Sequence, residues 1–545
     1  MYSQVKTIAG NIVDIIHRSI YPGTLKIKGG RIVEIIRDIQ QYQTYIIPGF
    51  VDAHIHIESS MLVPSEFARI AAIHGSVAAV SDPHEIANIM GMPGIRYMIE
   101  DGRTTPFKFY FGAPSCVPAT DFETSGATIS PENIEELFKN NEAHFLSEVM
   151  NYPGVLAQEP GIMKKIALAK TYHKAIDGHA PGLKGIDLEK YLGAGIKTDH
   201  ETLNLDEALE KLSAGINIQI RHGSATSNLE ALNGLIDQYP EQCMFCSDDK
   251  HPDDLVNNHV NYMVKRSLTL GLDKFNVLRC ASHNPIRHYS LDVGLLQTGD
   301  PADFVVIDNF ENFNICMTCI DGFKIAENGK PLLNCRKPGT INSFAACKKS
   351  PEDFRIRCKG GRINIIEAFD SQLVTGRIQA QAKIEDTFCV SDPLRDILKI
   401  TVVNRYRDAS PAVGFIKNFG LKQGAIAASI AHDSHNIVAV GVSDEHLCAA
   451  VNQIIEHKGG IAVACDNFQK ILPLSIAGIM SDDDGFQVAK AYDELNTLAK
   501  KLGSPLKAPF MTLSFMSLLV IPELKMSDKG LFDSQKFQFV AVCQP

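Results

Sequence analysis

No apolar run in this 545-residue chain approaches membrane-spanning length, so no transmembrane helix is expected. The opening Met1-Tyr2-Ser3-Gln4-Val5-Lys6 lacks the basic-then-apolar pattern of a secretory leader, and the expected location is cytoplasmic. Positive charge is not in excess either. The 53 Lys and Arg against 63 Asp and Glu leave a formal net charge of -10, which argues against nucleic acid or an anionic membrane as partner, since both need basic surface. Low-complexity stretches and fixed-period repeats are missing. A disulfide framework is not expected, because the 13 cysteines are scattered and read as reduced thiols. Cys243/Cys246 and Cys316/Cys319 lie too far apart for a zinc ribbon, and an odd spacing puts Cys243 and Cys246 on opposite strand faces. What is present is an ordinary globular balance, 45% hydrophobic and 21% charged, with length for two to four domains.

The chain is organised around Ile47-Pro48-Gly49-Phe50-Val51-Asp52-Ala53-His54-Ile55-His56-Ile57-Glu58, a buried β-strand ending in two histidines. Strand side chains alternate, so His54 and His56 project from one face and can grip one metal ion. A satisfied core histidine is the other reading of such a pair. Before this strand, Thr24 to Ile35 reads as a hairpin about Gly29-Gly30. A matching β-rich stretch occurs at Gly299-Asp300-Pro301-Ala302-Asp303-Phe304-Val305-Val306-Ile307, with a turn at Asn328-Gly329. Residues 1–48 and 291–345 are therefore expected to form one discontinuous small β domain.

Between them, apolar strands alternate with amphipathic helices. After the opening strand come runs at 77–82, 107–111, 144–148, 175–179, 196–200, 216–221 and 244–248, separated by helical segments such as Leu205 to Leu212 and Leu229 to Tyr239. Eight such units over residues 49–290 match an α/β fold, a (β/α)8 TIM-like barrel, typically about 250 residues. Residues 346–545 read as a further α/β or α+β domain: Leu447, Val451, Ile454 and Ile455 form a helical apolar face ended by Gly459-Gly460, and Val438 to Val440 and Ile461 to Ala464 look like buried strands.

In such a barrel the C-terminal strand ends converge on one mouth, so polar residues there carry chemistry. Strand one ends in His54 and His56, strand four in Glu148, strand five in His179, strand six in His200 and strand eight in Asp248. Each alone has an everyday reading as a strand end, a turn histidine or a helix cap. Together, four histidines and two carboxylates can hold two divalent ions, with Glu148 placed between them. Ions of this kind lower the pKa of a bound water toward about 7. Asp248 is then expected to be both ligand and proton acceptor, and the reaction class is hydrolysis or hydrolytic deamination.

These residues carry a resemblance. Pro48-Gly49-Phe50-Val51-Asp52-Ala53-His54-Ile55-His56, the separated Glu, His, His and Asp, and Gly299-Asp300-Pro301-Ala302-Asp303 resemble the amidohydrolase superfamily. More closely, the chain resembles the adenine deaminase family over nearly its whole length, through His56-Ile57-Glu58-Ser59-Ser60-Met61, Ser81-Asp82-Pro83-His84-Glu85-Ile86-Ala87-Asn88, Met150-Asn151-Tyr152-Pro153-Gly154-Val155, Gly178-His179-Ala180-Pro181, Thr198-Asp199-His200-Glu201, Asp248-Asp249-Lys250-His251-Pro252 and Ala431-His432-Asp433-Ser434-His435-Asn436. The resemblance implies adenine plus water giving hypoxanthine and ammonia in purine salvage. It also implies two divalent metals, manganese first and iron or zinc as alternatives, held by His54, His56, Glu148, His179, His200 and Asp248. The expected partners are adenine and further copies of the chain as a homo-oligomer, with no nucleic acid and no membrane.

The remaining roles stay open at this level. An acid must face the purine, and Glu85, Asp249, Glu58 and Glu201 are candidates, each with an everyday reading as a loop cap or ion pair. His84 is a candidate accessory ligand. Glu58, Ser59, Arg221 and His222 are candidates for binding substrate; many relatives are expected to carry Arg-Glu-Gly-Ser where this chain has Arg221-His222-Gly223-Ser224. His432-Asp433-Ser434-His435 either lines the active site or forms an internal hydrogen-bonded turn. The alternatives to adenine are another aminopurine or a cyclic amide, although many ring amidohydrolases bridge their metals with a modified lysine where this chain offers Glu148. A non-catalytic barrel scaffold is the remaining alternative, and such a protein would be expected to have lost the ligand set that this chain keeps.

Overall fold

A computed structural model describes residues 5–334, 339–357 and 360–543; Met1 to Gln4, part of the stretch read for a leader, lie outside the described residues. The chain folds as two compact units, one of residues 1–84, 96–116 and 130–337, the other of residues 85–95, 117–129 and 338–545. No helix among the described residues is long and apolar enough to cross a membrane.

The first unit begins with β1 (Lys6–Asp14), β2 (Ser19–Lys28), β3 (Arg31–Arg37) and β4 (Tyr45–Pro48). Gly29 and Gly30, at φ 60° and 83°, make the β2–β3 turn in the left-handed region that glycine enters at little cost. Then come β5 (Phe50–His56), β6 (Ser76–Ser81), β7 (Lys108–Phe111), β8 (Leu146–Val149), β9 (Ile176–Gly178), β10 (Thr198–Asp199), β11 (Asn217–Arg221), β12 (Cys243–Cys246) and the short β13 (Asp248–Asp249). The unit ends with β14 (Phe304–Ile307), β15 (Ile315–Ile320), β16 (Phe323–Glu327) and β17 (Lys330–Pro331). Strands from both ends of this stretch join one sheet, ordered β17-β16-β15-β14-β4-β1-β2-β3. Ile12, Leu25, Ile27, Ile32, Ile46 and Phe304 form its apolar face.

β5 to β12 overlap the eight apolar runs of the sequence, with helices between them, and every pairing recorded among these strands is parallel. Most of these strands are buried along their whole length, as expected where parallel strands are covered on both faces. The arrangement is a TIM-barrel-like domain. Gly49 has to be small, because a Cβ there would meet the Val77 side chain at 2.5 Å as the first two strands begin. The single helix expected over 229–239 is instead two short ones, Leu229–Leu232 and Leu235–Gln238. Between them stand Asn233 and Gly234, poor helix residues, and the Asn233 side chain accepts a hydrogen bond from Ser267 Oγ at 2.6 Å.

The second unit carries a sheet ordered by residue range 375–381, 362–368, 412–417, 397–403, 437–441, 425–428, 460–465, 468–473. Neighbours are antiparallel except for Arg362–Ala368 beside Ala412–Lys417, so of the two arrangements expected for this region it is α+β. The helix Asp444–His457 is capped by Ser443 and buries Leu447, Val451, Ile454 and Ile455. It ends on Lys458 at φ 56°, one residue before the glycine pair expected to stop it.

Candidate metal centre

The strand-end residues converge. His54 and His56 turn their Nε2 atoms toward each other at 3.3 Å, and His56 Nδ1 meets the Asp82 carbonyl at 3.1 Å. A carbonyl only accepts, so Nδ1 carries the hydrogen and the Nε2 lone pair faces inward, the tautomer of a metal ligand. Glu148 divides its oxygens: Oε1 is 3.3 Å from His56 Nε2, whereas Oε2 is 2.8 Å from His179 Nδ1 and 3.4 Å from His200 Nε2. The His200 ring stacks on His54 with centroids 4.2 Å apart. Asp248 Oδ1 lies 3.1 Å from His56 Nε2 and 3.7 Å from His54 Nε2. His54–His56–Asp248 and His54–Glu148–His200 each bring their ligand atoms within 4.8 Å of one another. Imidazole and carboxylate donors, all buried except half-buried His179, fit divalent manganese, iron or zinc. The Cys243 and Cys246 thiols are both buried in β12, and burial pushes both upward, Cys243 to about 12.

The surrounding fold fixes these groups. Asp52, on the opposite face of β5 from Ala53, accepts from Ser247 N at 3.0 Å and from His259 Nε2 at 2.8 Å, tying the end of β12 to the first strand. Asp248 pairs with Ile55 and sits at φ 56°, unusual for a residue with a side chain. The His179 amide donates to Tyr191 Oη at 3.0 Å, and Tyr191 donates to the Val149 carbonyl at 2.9 Å. Buried Lys211 gathers Asp199, Glu207, Thr202 and the Ala180 carbonyl at 2.6–3.2 Å, holding the ends of β9 and β10. Arg221 reaches Glu201 Oε1 at 2.7 Å and Asp248 Oδ2 at 2.5 Å.

Burial works against ionisation of Glu148, but His179, His56 and His200 override it and hold the carboxyl well below its usual range. Arg221, His56 and His200 do the same for Asp248. Burial lowers His179, yet Glu201 and Glu148 lift it to about 9. Burial lowers His56 as well, while Asp248 and Glu148 raise it well above the ordinary histidine value. A positive charge among these groups is therefore what the two carboxylates stabilise, whether proton or metal ion.

His54, His56, Glu148, His179, His200 and Asp248 thus come together, and Glu201 joins them, 3.5 Å from His200 Nε2. His84 belongs too, its Nδ1 lying 3.0 Å from Asp82 Oδ2 and 3.6 Å from Glu148 Oε1. Asp82 also stands in this cluster and was not among the expected residues; its place at the end of the second strand, equivalent to that of Glu148 on the fourth, was the available signal. Ser59 Oγ donates to Asp249 Oδ1 at 2.6 Å, and Glu58 is buried in the turn after β5. His222 stacks on Tyr262 with centroids 4.5 Å apart and bonds Ser227. Glu85 lies in the second unit, held by His432 Nδ1 at 2.7 Å and by His435 Nε2. Burial works against its ionisation, but those two imidazoles bring it well below the usual carboxylate range.

The chain matches the amidohydrolase family over residues 45–325 and the adenine deaminase C-terminal domain over residues 372–538. It is 54% identical over 536 residues to a protein named adenine deaminase from Sulfurovum sp. (strain NBC37-1), covering 98% of this chain and 99% of that one. Similar proteins of the same name occur in Methanosarcina barkeri, 50% identical over 545 residues (98% of this chain, 99% of that one), and in Salinibacter ruber, 49% over 536 residues (98% of each).

Proposed function

The chain belongs to the adenine deaminase family of amidohydrolases, and from that premise we propose how it carries out the hydrolytic deamination of adenine to hypoxanthine and ammonia. His54, His56 and Asp248 would hold one divalent ion and His179 and His200 a second, with Glu148 shared; manganese suits this donor set, as do iron and zinc. The observation that carries this reading is the division of the Glu148 oxygens between His56 on one side and His179 and His200 on the other. Ions bound there would supply a nucleophile at neutral pH and polarise the substrate.

The protein's own groups then handle protons. Asp248, ionised under the influence of Arg221, accepts the proton of the attacking water at Oδ1 as C6 becomes tetrahedral, and passes it to the departing amine. Asp249, half-buried beside Ser59, would deliver the proton that ring N1 gains and recover one from the hydroxyl on C6 as that becomes the carbonyl, so the two protons of the water end on the ammonia and on N1. Glu85 fits proton donation at neutral pH less well, since His432 and His435 favour its anion. Closure of β5–β12 as a (β/α)8 barrel is supported by the Asp248–Ile55 pairing and the Ala113–Leu146 bridge. The expected setting is purine salvage in the cytoplasm. Replacing Glu148 by Ala tests the reading: metal content and adenine turnover should fall together, and full activity in that variant would refute the shared ligand.

A further inference from the structure

Arg221 is among the largest wholly buried side chains of the molecule. Its main chain is clamped by Asn228, which accepts from Arg221 N at 2.6 Å through Oδ1 and donates to the Arg221 carbonyl at 3.1 Å. Asn228 also donates to the Thr202 carbonyl at 2.8 Å. The guanidinium at the other end divides between two carboxylates. Nη1 donates to Glu201 Oε1 at 2.7 Å and to Asp248 Oδ2 at 2.5 Å, and Nη2 donates to Glu201 Oε2 at 3.2 Å. A planar fork whose Nη1 and Nη2 are divided this way, with Nε left unpartnered, is a strut between β11, the loop after β10 and the end of the eighth strand.

The strut bears on Asp248. That residue sits in the left-handed region at φ 56°, a conformation that persists only where surroundings impose it. Its two carboxylate oxygens are equivalent, so what the surroundings fix is the tilt of the carboxylate plane. With Oδ2 engaged by Arg221, Oδ1 is the oxygen that faces His56 at 3.1 Å and His54 at 3.7 Å. Glu201, gripped by the same guanidinium, is 3.8 Å from His179 Nδ1 and 3.5 Å from His200 Nε2. One cation thus couples the acceptor on one side of the cluster to a carboxylate on the other.

We infer that Arg221 is a positioning residue for deamination: it holds Asp248 with Oδ1 toward His54 and His56 and ties it to Glu201, rather than binding the purine. The inference rests on Asp248 being the proton acceptor. A misplaced acceptor costs turnover and not affinity, on the order of 10²-fold for a displacement near 1 Å.

The test uses the full-length, metal-reconstituted chain as wild type, Arg221→Met and Arg221→Lys. It measures kcat and KM for adenine, metal per chain, melting temperature and the crystal structure of each. The expected result is a kcat loss of about 10²-fold or more in Arg221→Met with KM near wild type and with far less loss of metal than of turnover, since His54, His56 and Glu148 still hold the ion that Asp248 shares. Partial recovery is expected in Arg221→Lys, because an ammonium meets one carboxylate and not both in this geometry. Asp248 should be rotated in the Arg221→Met crystal while His54, His56 and Glu148 stay in place. A rise in KM with kcat unchanged would mean that Arg221 binds substrate and would overturn the inference. Loss of metal and melting temperature in proportion to activity would mean a structural role only and would overturn it equally. Should Arg221→Met fail to fold, Arg221→Lys carries the same comparison. Were wild type to leave adenine untouched, the deamination reading would fail by itself, and an unrotated Asp248 in the variant crystal would still count against the positioning role.

Discussion

Asp248 combines three constraints in one residue: a left-handed backbone, an arginine on one oxygen and imidazoles on the other. Asp248→Asn keeps the shape and removes the basic oxygen, so kcat for adenine should fall by about 10²–10⁴-fold with KM little changed, as steady-state kinetics will read. Lys525 offers a second test of the electrostatics, in the other unit. It is fully buried, donates to the Phe515 carbonyl at 2.9 Å and the Leu373 carbonyl at 2.6 Å, and burial pushes it down to about 7. Above that pH and up to the ordinary lysine value, the unfolded chain binds a proton that the folded chain does not, so this group makes stability rise with pH, on the order of a few kcal/mol in all. In denaturant unfolding from pH 7 to 10, wild type should gain stability relative to Lys525→Met. A difference flat with pH would contradict the assignment. At this scale the approach of His54 and His56 was legible because a period of two forces them onto one face. Asp82 and the His432–Glu85–His435 triad were not, because acids at strand ends usually have everyday roles and no local pattern joins residue 85 to residues 432 and 435.

The helix Leu205–Ala214 shows how an element serves the centre. It is capped by Asn204, whose Oδ1 accepts from Glu207 N at 3.1 Å, and ended by Gly215 at φ 94°. From its buried face Lys211 reaches Asp199 at 2.9 Å and Glu207 at 2.6 Å, next to His200. Removing one partner of such a buried network leaves charges uncompensated, so Lys211→Met should lose about 3–5 kcal/mol in denaturant unfolding and weaken metal retention. A loss within about 0.5 kcal/mol, the range of surface substitutions, would contradict that role. The positions of β5 to β12 were legible because strands covered on both faces read as continuous apolar runs. The break at Asn233-Gly234 was not, since the Ser267 hydrogen bond that claims Asn233 comes from 34 residues away.

The whole chain joins a TIM-barrel-like unit, in which the cluster of imidazoles and carboxylates lies at strand ends, to an α+β unit whose residues 372–538 match the adenine deaminase C-terminal domain. The participation of residues 85–95 and 117–129 in the second unit had no sequence signal, because both stretches lie within the run of strands and helices that otherwise build the first. The acidic balance, net charge -10, agrees with a small neutral substrate rather than a polyanion. The most direct test is to reconstitute the stripped full-length protein with increasing manganese while following ammonia and hypoxanthine from adenine. The account predicts that activity saturates at two ions per chain with one ammonia per hypoxanthine. A protein that takes up metal yet leaves adenine intact while turning over another aminopurine or a cyclic amide would contradict it.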